Sequence, residues 1–400
     1  MIHQYRPNFD WHEFLAVLCP GAGRDKFESA LAARMGARYG IAFAYGRSGI
    51  IAACKALGLN QAEVIVPAYT CRVVAEAVVV SGNKPVFVDI DLGDYNMDLK
   101  ALKNALTAQT RAIIATPLYG YPAQAEAIRA MAGDNRIALI QDAAMLGPLS
   151  ADSGAAGLRS DVMILSFGPG KHLYTVQGGV LLTDSADLYE KIKAYRDREM
   201  SGLSWKVWAR RLARLVTGYI MLSGSMFEMW NRLNETGPMQ RARGKLGLTR
   251  ISMPGDYAMA FADFQGRVGL AQLRKFDFIL ARHRAWAEFY DRELRGLPGI
   301  SPAPMLAGAT YSHYTLLVER RDERGFRQRM RARGIEVGAA FDYALPALSP
   351  YRPYAQGTYP RAEQAARQVV NLPNYAGLSA AGARHIAEST RRSLQETVGS

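Results

Sequence analysis

The chain has 400 residues, of which 49% are hydrophobic and 21% charged, a composition that is ordinary for a globular enzyme and excludes a low-complexity chain. Its formal net charge of +13 indicates an anionic partner, although no zinc-finger, RRM or helix-turn-helix signature supports nucleic acid in that role. Cys19, Cys54 and Cys71 give neither a disulfide framework nor metal-ligand spacing, and the N-terminus lacks a signal-peptide core, so we expect a cytoplasmic protein without a metal.

The first stretches of the chain predict a short segment followed by the start of an α/β domain. Residues 1–20 are polar and aromatic, and we expect them to pack on a later domain. A run with helical spacing follows Asp25, and residues 41–45 form a short strand. The turn from Gly46 to Gly49 then opens the helix 50–57, and the free N–H groups at such a helix start predict an anion site. A plain helix cap is the alternative explanation of this turn.

Further along, short apolar runs alternate with helical stretches. We predict strands at residues 64–67, 86–90, 112–116 and 138–141, with helices between them that include 73–81 and 98–106. This alternation is typical of βαβ units, which form a mainly parallel sheet with right-handed crossovers.

Two polar residues stand at the ends of apolar runs in the centre of the chain. The run 137–140 leads to Asp142, and the run 162–167 leads through glycines to Lys171, 29 residues later. Open α/β sheets bind ligands at such strand ends. A lysine amine held against an apolar wall loses solvation, so its pKa falls and it becomes a nucleophile for Schiff-base chemistry. A lysine Schiff base with an aspartate on the ring nitrogen is the pattern of pyridoxal phosphate enzymes. Taken singly, Lys171 is as well explained as a solvated loop residue and Asp142 as a helix cap.

Residues 201–250 interrupt the α/β pattern. They contain nine Lys or Arg residues and two Glu, which favours a nucleotide diphosphate or a lipid head group as the partner. Apolar residues recur at helical spacing through this segment: Trp205, Trp208, Leu212, Leu215, Tyr219, Leu222 and Met226. The longest uncharged run, 215–227, has 13 residues and is too short to span a bilayer. The segment therefore predicts an interfacial helix on a membrane or a dimer contact; a helix that covers the enzyme's own core is the simpler alternative.

Several motifs occur in an order that resembles the DegT/DnrJ/StrS family of sugar aminotransferases. They are Asp142-Ala-Ala, Ser166-Phe followed by Lys171, Gly178-Gly179, and the stretches at 63–70, 84–90, 118–120 and 372–373. The resemblance implies the fold-type-I α/β fold. We therefore expect a large domain, residues 21–255, with a mainly parallel seven-stranded sheet sandwiched by helices. A bridging helix and a smaller C-terminal α/β domain should occupy residues 256–400, with residues 1–20 packed on that small domain. In the small domain we expect strands at 314–319 and 334–338 to alternate with helices.

The resemblance also implies roles for individual residues. Lys171 would hold pyridoxal 5'-phosphate (PLP) as a Schiff base, and Asp142 would keep the pyridine nitrogen protonated. Gly46, Arg47, Ser48 and Ser166 match the family's phosphate anchors. Three further residues are expected to contact the cofactor. Cys71 stands at the family's usual ring-stacking position, and Tyr69 would take over that stacking. Met145 stands where the family often has Gln or His.

The family implies transfer of an amino group from an amino acid, typically L-glutamate, to a keto sugar, with a nucleotide-linked acceptor expected here. It also implies a homodimer with shared active sites. Ala258, Met259 and Ala260 replace the Asn-Tyr-Arg that the family places at the partner's site, and His313 matches a family histidine near the substrate. Two alternatives remain. One is a membrane-associated aminotransferase of a lipid-linked or other keto substrate, with contact through residues 205–233, and the other a non-catalytic cofactor-binding regulator. Sugar dehydratases of the family carry histidine in place of the lysine, so Lys171 favours transamination.

Overall fold

The computed structural model describes residues 1–133, 137–149, 158–200, 202–222, 249–319 and 323–398. Its large part is built on a seven-stranded sheet with the order β1-β7-β6-β5-β4-β2-β3. The strands are β1 (Tyr39–Phe43), β2 (Glu63–Pro67), β3 (Lys84–Val88), β4 (Thr110–Ala115), β5 (Ala138–Asp142), β6 (Val162–Ser166) and β7 (Gly179–Thr183). Strands β2 to β6 pair in parallel, while β7 runs antiparallel to both β6 and β1. The prediction of a mainly parallel seven-stranded sheet is confirmed.

Helices cover both faces of this sheet, which explains why its central strands are apolar along their whole length. Val64, Ile65 and Val66 of β2 are all fully buried, as expected for a parallel strand with helices on either side. The helices of the large part are α1 (Trp11–Leu18), α2 (Gly23–Met35), α3 (Gly46–Ala56), α4 (Arg72–Val80), α5 (Leu99–Ala105), α6 (Ala125–Ala132), α7 (Ala186–Glu199), α8 (Trp205–Leu222) and α9 (Asp263–Arg274).

A long helix, α10 (Phe276–Leu294), leads to the C-terminal part of the chain. There a three-stranded antiparallel sheet has the order β10-β9-β8. Its strands are β8 (Ile300–Pro302), β9 (Tyr314–Val318) and β10 (Val369–Leu372), with the helices α11 (Glu323–Ala332), α12 (Pro360–Gln368) and α13 (Ala380–Val398). The strand that the sequence suggested at 334–338 is not formed, because Ile335 and Gly338 make only single bridges, to Ile2 and Asn371.

The N-terminal segment contacts both parts of the molecule. Ile2 bridges to Ile335, and the ring of His3 lies 3.0 Å from a carboxylate oxygen of Glu336. Helix α1, in contrast, packs on α9 in the large part. The predicted domain boundaries at residues 20 and 255 stay predictions.

The basic segment begins as the helix that its apolar spacing predicted. Helix α8 has 18 residues, whereas residues 223–248, including Met226 and Trp230, lie outside the described residues. Within the part of the chain that the structure describes, no helix combines the length and the apolar character needed to cross a bilayer.

Candidate active site

The parallel strands β5 and β6 end side by side and deliver Asp142 and Lys171 to one edge of the sheet. Asp142 pairs in register with Ile164 of β6, and the N–H of Ala143 donates to the Ile164 carbonyl at 2.8 Å. After Ser166 the chain turns through Gly170, whose φ of +75° suits a residue without a side chain. The turn returns Lys171 toward the sheet edge, with the Lys171 N–H donating to the Gly168 carbonyl at 3.3 Å.

The carboxylate of Asp142 lies within the electrostatic reach of the Lys171 amine. Burial raises the pKa of Asp142, and the Lys171 charge and a hydrogen bond from the Ala144 N–H oppose that rise. The Ala144 bond is 3.1 Å long. Because desolvation disfavours an isolated carboxylate, Asp142 needs a cation beside it to stay ionised. The structure therefore brings together the amine and the carboxylate that the sequence singled out.

The start of α3 lies against the ends of β6 and β7. A Cβ added at Gly46 would lie 3.2 Å from Cβ of Ser166, and one added at Gly179 would lie 2.6 Å from Cα of Gly46. The backbone thus approaches Ser166 more closely than a side chain would allow. The α3 N-cap, Tyr45, makes no side-chain capping bond among the described residues. The Ser48 N–H donates to the Tyr45 carbonyl at 3.1 Å, which leaves the N–H groups of Gly46 and Arg47 as the candidates for an anion beside Ser166.

Two of the predicted phosphate anchors already have partners inside the protein. Ser48 is fully buried, and its hydroxyl donates to the Tyr257 carbonyl at 2.7 Å. The guanidinium of Arg47 donates to buried Glu76 at 2.8 Å, which also pairs with Arg72. Of the four residues expected at the phosphate, Gly46 and Ser166 thus form the tight cradle. The hydroxyl of Ser48 is used to hold α3 in place, and Arg47 shares its charge with Glu76.

Tyr69 and Cys71 both follow β2, but their side chains have different surroundings. Tyr69 is fully buried, and its hydroxyl lies 2.7 Å from that of Tyr119 and donates to the Phe341 carbonyl at 3.0 Å. Its ring therefore belongs to an aromatic cluster in the core. Burial raises the pKa of the Cys71 thiol, while the charge of Lys171 opposes that rise. The structure thus places Cys71 beside Lys171 and Asp142, whereas the Tyr69 hydroxyl is engaged by Tyr119 and Phe341. Met145, 6% exposed, packs in the main core.

Three buried histidines, His172, His283 and His313, lie near Lys171. The rings of His172 and His283 are 4.7 Å apart, and Nδ1 of His283 lies 3.2 Å from the Tyr311 carbonyl. Burial lowers the pKa of His283 to about 4. Burial and the charge of Lys171 lower the pKa of His313 to about 3, so these rings are neutral near pH 7. Sequence reasoning gave His313 a place near the substrate but missed His283, which has no motif around it.

The segment that replaces the family's Asn-Tyr-Arg is tied to α8. The guanidinium of Arg211, which is fully buried, donates to the Ala260 carbonyl at 2.7 Å. It also pairs with Asp256 at 3.1 Å. Asp256 in turn accepts a hydrogen bond of 2.7 Å from the hydroxyl of Tyr45 and one of 3.1 Å from Gln177. A buried network thus joins the basic helix to the residue that precedes the phosphate turn.

Comparison with known proteins gives consistent matches over most of the chain. A model of the DegT/DnrJ/EryC1/StrS aminotransferase family matches residues 16–391. The UDP-N-acetyl-3-dehydro-alpha-D-glucosamine 3-aminotransferase of Acidithiobacillus ferrooxidans is 29% identical over 372 residues, covering 92% of this chain and 87% of that protein. The dTDP-3-amino-3,4,6-trideoxy-alpha-D-glucose transaminase of Streptomyces venezuelae is 28% identical over 365 residues, with 88% and 82% covered.

Solved structures share the fold. The aminotransferase TlmJ from Streptoalloteichus hindustanus superposes with a TM-score of 0.78 at 21% identity, with all of both chains covered. DesV from S. venezuelae, solved in complex with a ketimine intermediate, gives a TM-score of 0.75 at 25% identity, with 95% of this chain and 93% of that chain covered.

Proposed function

The chain belongs to the DegT/DnrJ/EryC1/StrS aminotransferase family and is a PLP-dependent aminotransferase, and we propose that it transfers an amino group from L-glutamate to a nucleotide-linked keto sugar. The relatives named above are a UDP-sugar aminotransferase and a dTDP-sugar transaminase, which supports this class of acceptor. The observation that carries the proposal is the meeting of Lys171 and Asp142 at the ends of adjacent strands.

The residues at this edge of the sheet fit PLP. The cofactor has an aldehyde, a basic ring nitrogen and a phosphate, and the site offers an amine, a carboxylate and a helix start respectively. The close approach of Gly46 to Ser166 brings the start of α3 and the Ser166 side chain together, so both can contact one phosphate. Asp142, whose pKa burial raises, gains a cationic partner from a protonated ring nitrogen.

When bound, PLP supplies an electron sink for the negative charge that develops at the substrate carbon. The Lys171 amine would bind the aldehyde and, once displaced by the substrate amine, would carry a proton at Nζ to and from the reacting carbon. Such positioned proton transfer contributes about 10²–10⁴-fold. Asp142 would hold the proton on the ring nitrogen. Gly46 and Ser166 would hold the phosphate, and Cys71 would lie beside the ring.

The acceptor side of the proposal can be tested with a panel of keto sugars. We expect glutamate, PLP and a UDP- or dTDP-linked keto sugar to give the corresponding amino sugar, detected by mass spectrometry. Lys171→Ala should give none. Amination of only lipid-linked or free sugars would refute the nucleotide-linked acceptor. Bound PLP whose absorption does not respond to glutamate would identify a non-catalytic regulator.

A homodimer with shared active sites is part of the proposal, in keeping with the family resemblance. Because residues 258–260 replace the family's Asn-Tyr-Arg, any contact from the neighbouring subunit must come from other side chains. Sedimentation of the holoenzyme should show two copies, and a monomer with full activity would contradict a shared site.

A further inference from the structure

Helix α1 turns its apolar side to the solvent. Trp11, Phe14, Leu15 and Leu18 follow the spacing i, i+3, i+4, i+7, and they are exposed by 57%, 39%, 44% and 70%. This spacing places all four side chains on one face of the helix. In a surface helix such a stripe normally points to the core, so its exposure here needs an explanation.

Polar contacts hold α1 in this orientation. Glu13, on the opposite face, is 1% exposed. Its carboxylate accepts a hydrogen bond of 2.8 Å from the Asp10 N–H and one of 3.1 Å from Gln272, and it pairs with Lys275 at 2.7 Å. Rotating the helix to bury the apolar stripe would leave this carboxylate without its partners. The outward stripe is therefore built into the fold.

Helix α8 packs on the same small hydrophobic cluster as α1 and also carries exposed apolar side chains. Val17 of α1 and Leu212 and Leu215 of α8 pack in one small cluster over α9. Trp208 contacts the ring of Phe264 edge-on at 5.7 Å, yet it is 42% exposed, and Trp205 is 73% exposed. Six of the large apolar side chains that reach the solvent thus belong to these two helices.

The exposed side of α8 is basic. Lys206, Arg210 and Arg214 are exposed, and the sequence of α8 contains no Asp or Glu. Lys26 and Arg274 border a groove of about 590 Å³ beside Leu15, in which Asp10 is the acidic residue. Lysine and arginine side chains therefore border exposed apolar residues of both helices.

We propose that these residues, which we call the α1–α8 surface, dock the enzyme on an anionic lipid bilayer. The surface comprises Trp11, Leu15, Leu18, Trp205, Lys206, Trp208, Arg210 and Arg214. Tryptophan and leucine insert at the boundary between head groups and acyl chains, and the basic side chains meet anionic head groups. Charge complementarity selects this partner over a second copy of the chain, because two such surfaces facing each other would bring like charges together.

The direct test is flotation of the full-length holoenzyme with phosphatidylcholine vesicles that contain phosphatidylglycerol, compared with pure phosphatidylcholine vesicles. We expect binding only to the anionic vesicles, with a loss at high salt. The Lys206→Gln/Arg214→Gln variant should bind about 30-fold more weakly, roughly five-fold for each charge removed. Lys100→Gln/Lys103→Gln is the matched control, since it removes two exposed lysines from α5, which packs on β3 at the far edge of the sheet from β1 and α2.

The apolar stripe is tested separately. Trp11→Ser/Leu18→Ser should abolish flotation, while Val80→Ser, at a side chain 37% exposed on α4 near the same far edge, should leave it unchanged. Both altered residues of the stripe are exposed, so the fold should persist, as circular dichroism would verify. Equal binding to neutral and anionic vesicles, or no binding to either, overturns the proposal. A stripe variant that changes the sedimenting mass instead of flotation would assign the surface to a second copy. Transamination of nucleotide-linked sugars in the same preparations is independent of these results.

Discussion

The guanidinium of Arg211 pairs with the carboxylate of Asp256 at 3.1 Å, with Arg211 fully buried. Asp256 also accepts a hydrogen bond from Tyr45, the N-cap of α3. Two long-range contacts thus connect the basic helix α8 to the turn that cradles the proposed phosphate. The position of this turn therefore depends on α8, a helix that is far from the turn in sequence.

Replacing Arg211 should lower both the free energy of unfolding and the affinity for PLP. Arg211→Met leaves the buried Asp256 with only its longer contact to Arg210, and breaking a buried pair in this way costs about 3–5 kcal/mol. We expect a matching loss in the free energy of unfolding and faster loss of PLP on dialysis. Arg210→Met is the control, because Arg210 is 51% exposed and 3.5 Å from the same carboxylate, so its removal should cost less than about 1 kcal/mol. Equal effects of the two changes would contradict the role of the buried contact.

Replacing Lys171 should abolish covalent attachment of PLP, whereas replacing Asp142 should lower kcat. Borohydride reduction of the wild-type holoenzyme should fix PLP to the peptide that contains Lys171, and Lys171→Ala should yield no labelled peptide. Asp142→Asn should keep the labelled lysine but lower kcat by about 10²–10³-fold, because one preorganised electrostatic contact is lost. Peptide mapping and single-turnover absorbance distinguish the two. A label on another lysine would remove Lys171 from the mechanism.

The glycines around the proposed phosphate should tolerate substitution according to the space beside them. Gly179→Ala would put a Cβ 2.6 Å from Cα of Gly46, so the backbone must move, at about 1–3 kcal/mol. Because that movement displaces the start of α3, we expect weaker PLP binding by titration together with a lower melting temperature. Gly168→Ala is the matched control, since among the described residues no heavy atom beyond its chain neighbours lies within 4 Å of its added Cβ. A Gly179→Ala variant with unchanged PLP affinity would show that this close approach does not shape the phosphate site.

Much of the site could be predicted from the sequence because its main residues follow strand runs directly. The apolar runs before Asp142 and Lys171 fix two adjacent parallel strands, so their ends must meet at the same edge. What the sequence could not supply are contacts between distant parts of the chain. The hydroxyl of Ser48 is taken by Tyr257, 209 positions away, and Tyr69 is enclosed by Tyr119 and the Phe341 carbonyl. No local pattern carries that information.

The segment at 334–338 illustrates the same limit in the fold. Its residue types suit a strand, but a strand needs a neighbour along its length, and here Ile335 and Gly338 find bridges on two different segments. In α8 the periodicity of the apolar residues was informative, whereas the burial of Arg211 beside Leu215 was not visible. A buried arginine requires a partner such as Asp256, and only the tertiary structure brings that partner within reach.

Stability should depend on the neutral state of His283. Burial lowers the pKa of His283 to about 4 in the folded protein, against about 6.5 in an unfolded chain. Between these values the unfolded state binds the proton and the folded state does not, so stability is full above about pH 6.5 and falls as the pH drops toward about 4. His283→Gln should remove this part of the pH dependence of the free energy of unfolding, measured by urea titration at several pH values. His12→Gln, at a half-exposed ring on the surface, should leave the wild-type pH dependence in place. If His283→Gln and wild type lost stability in parallel over this range, the proton would be taken up at another group.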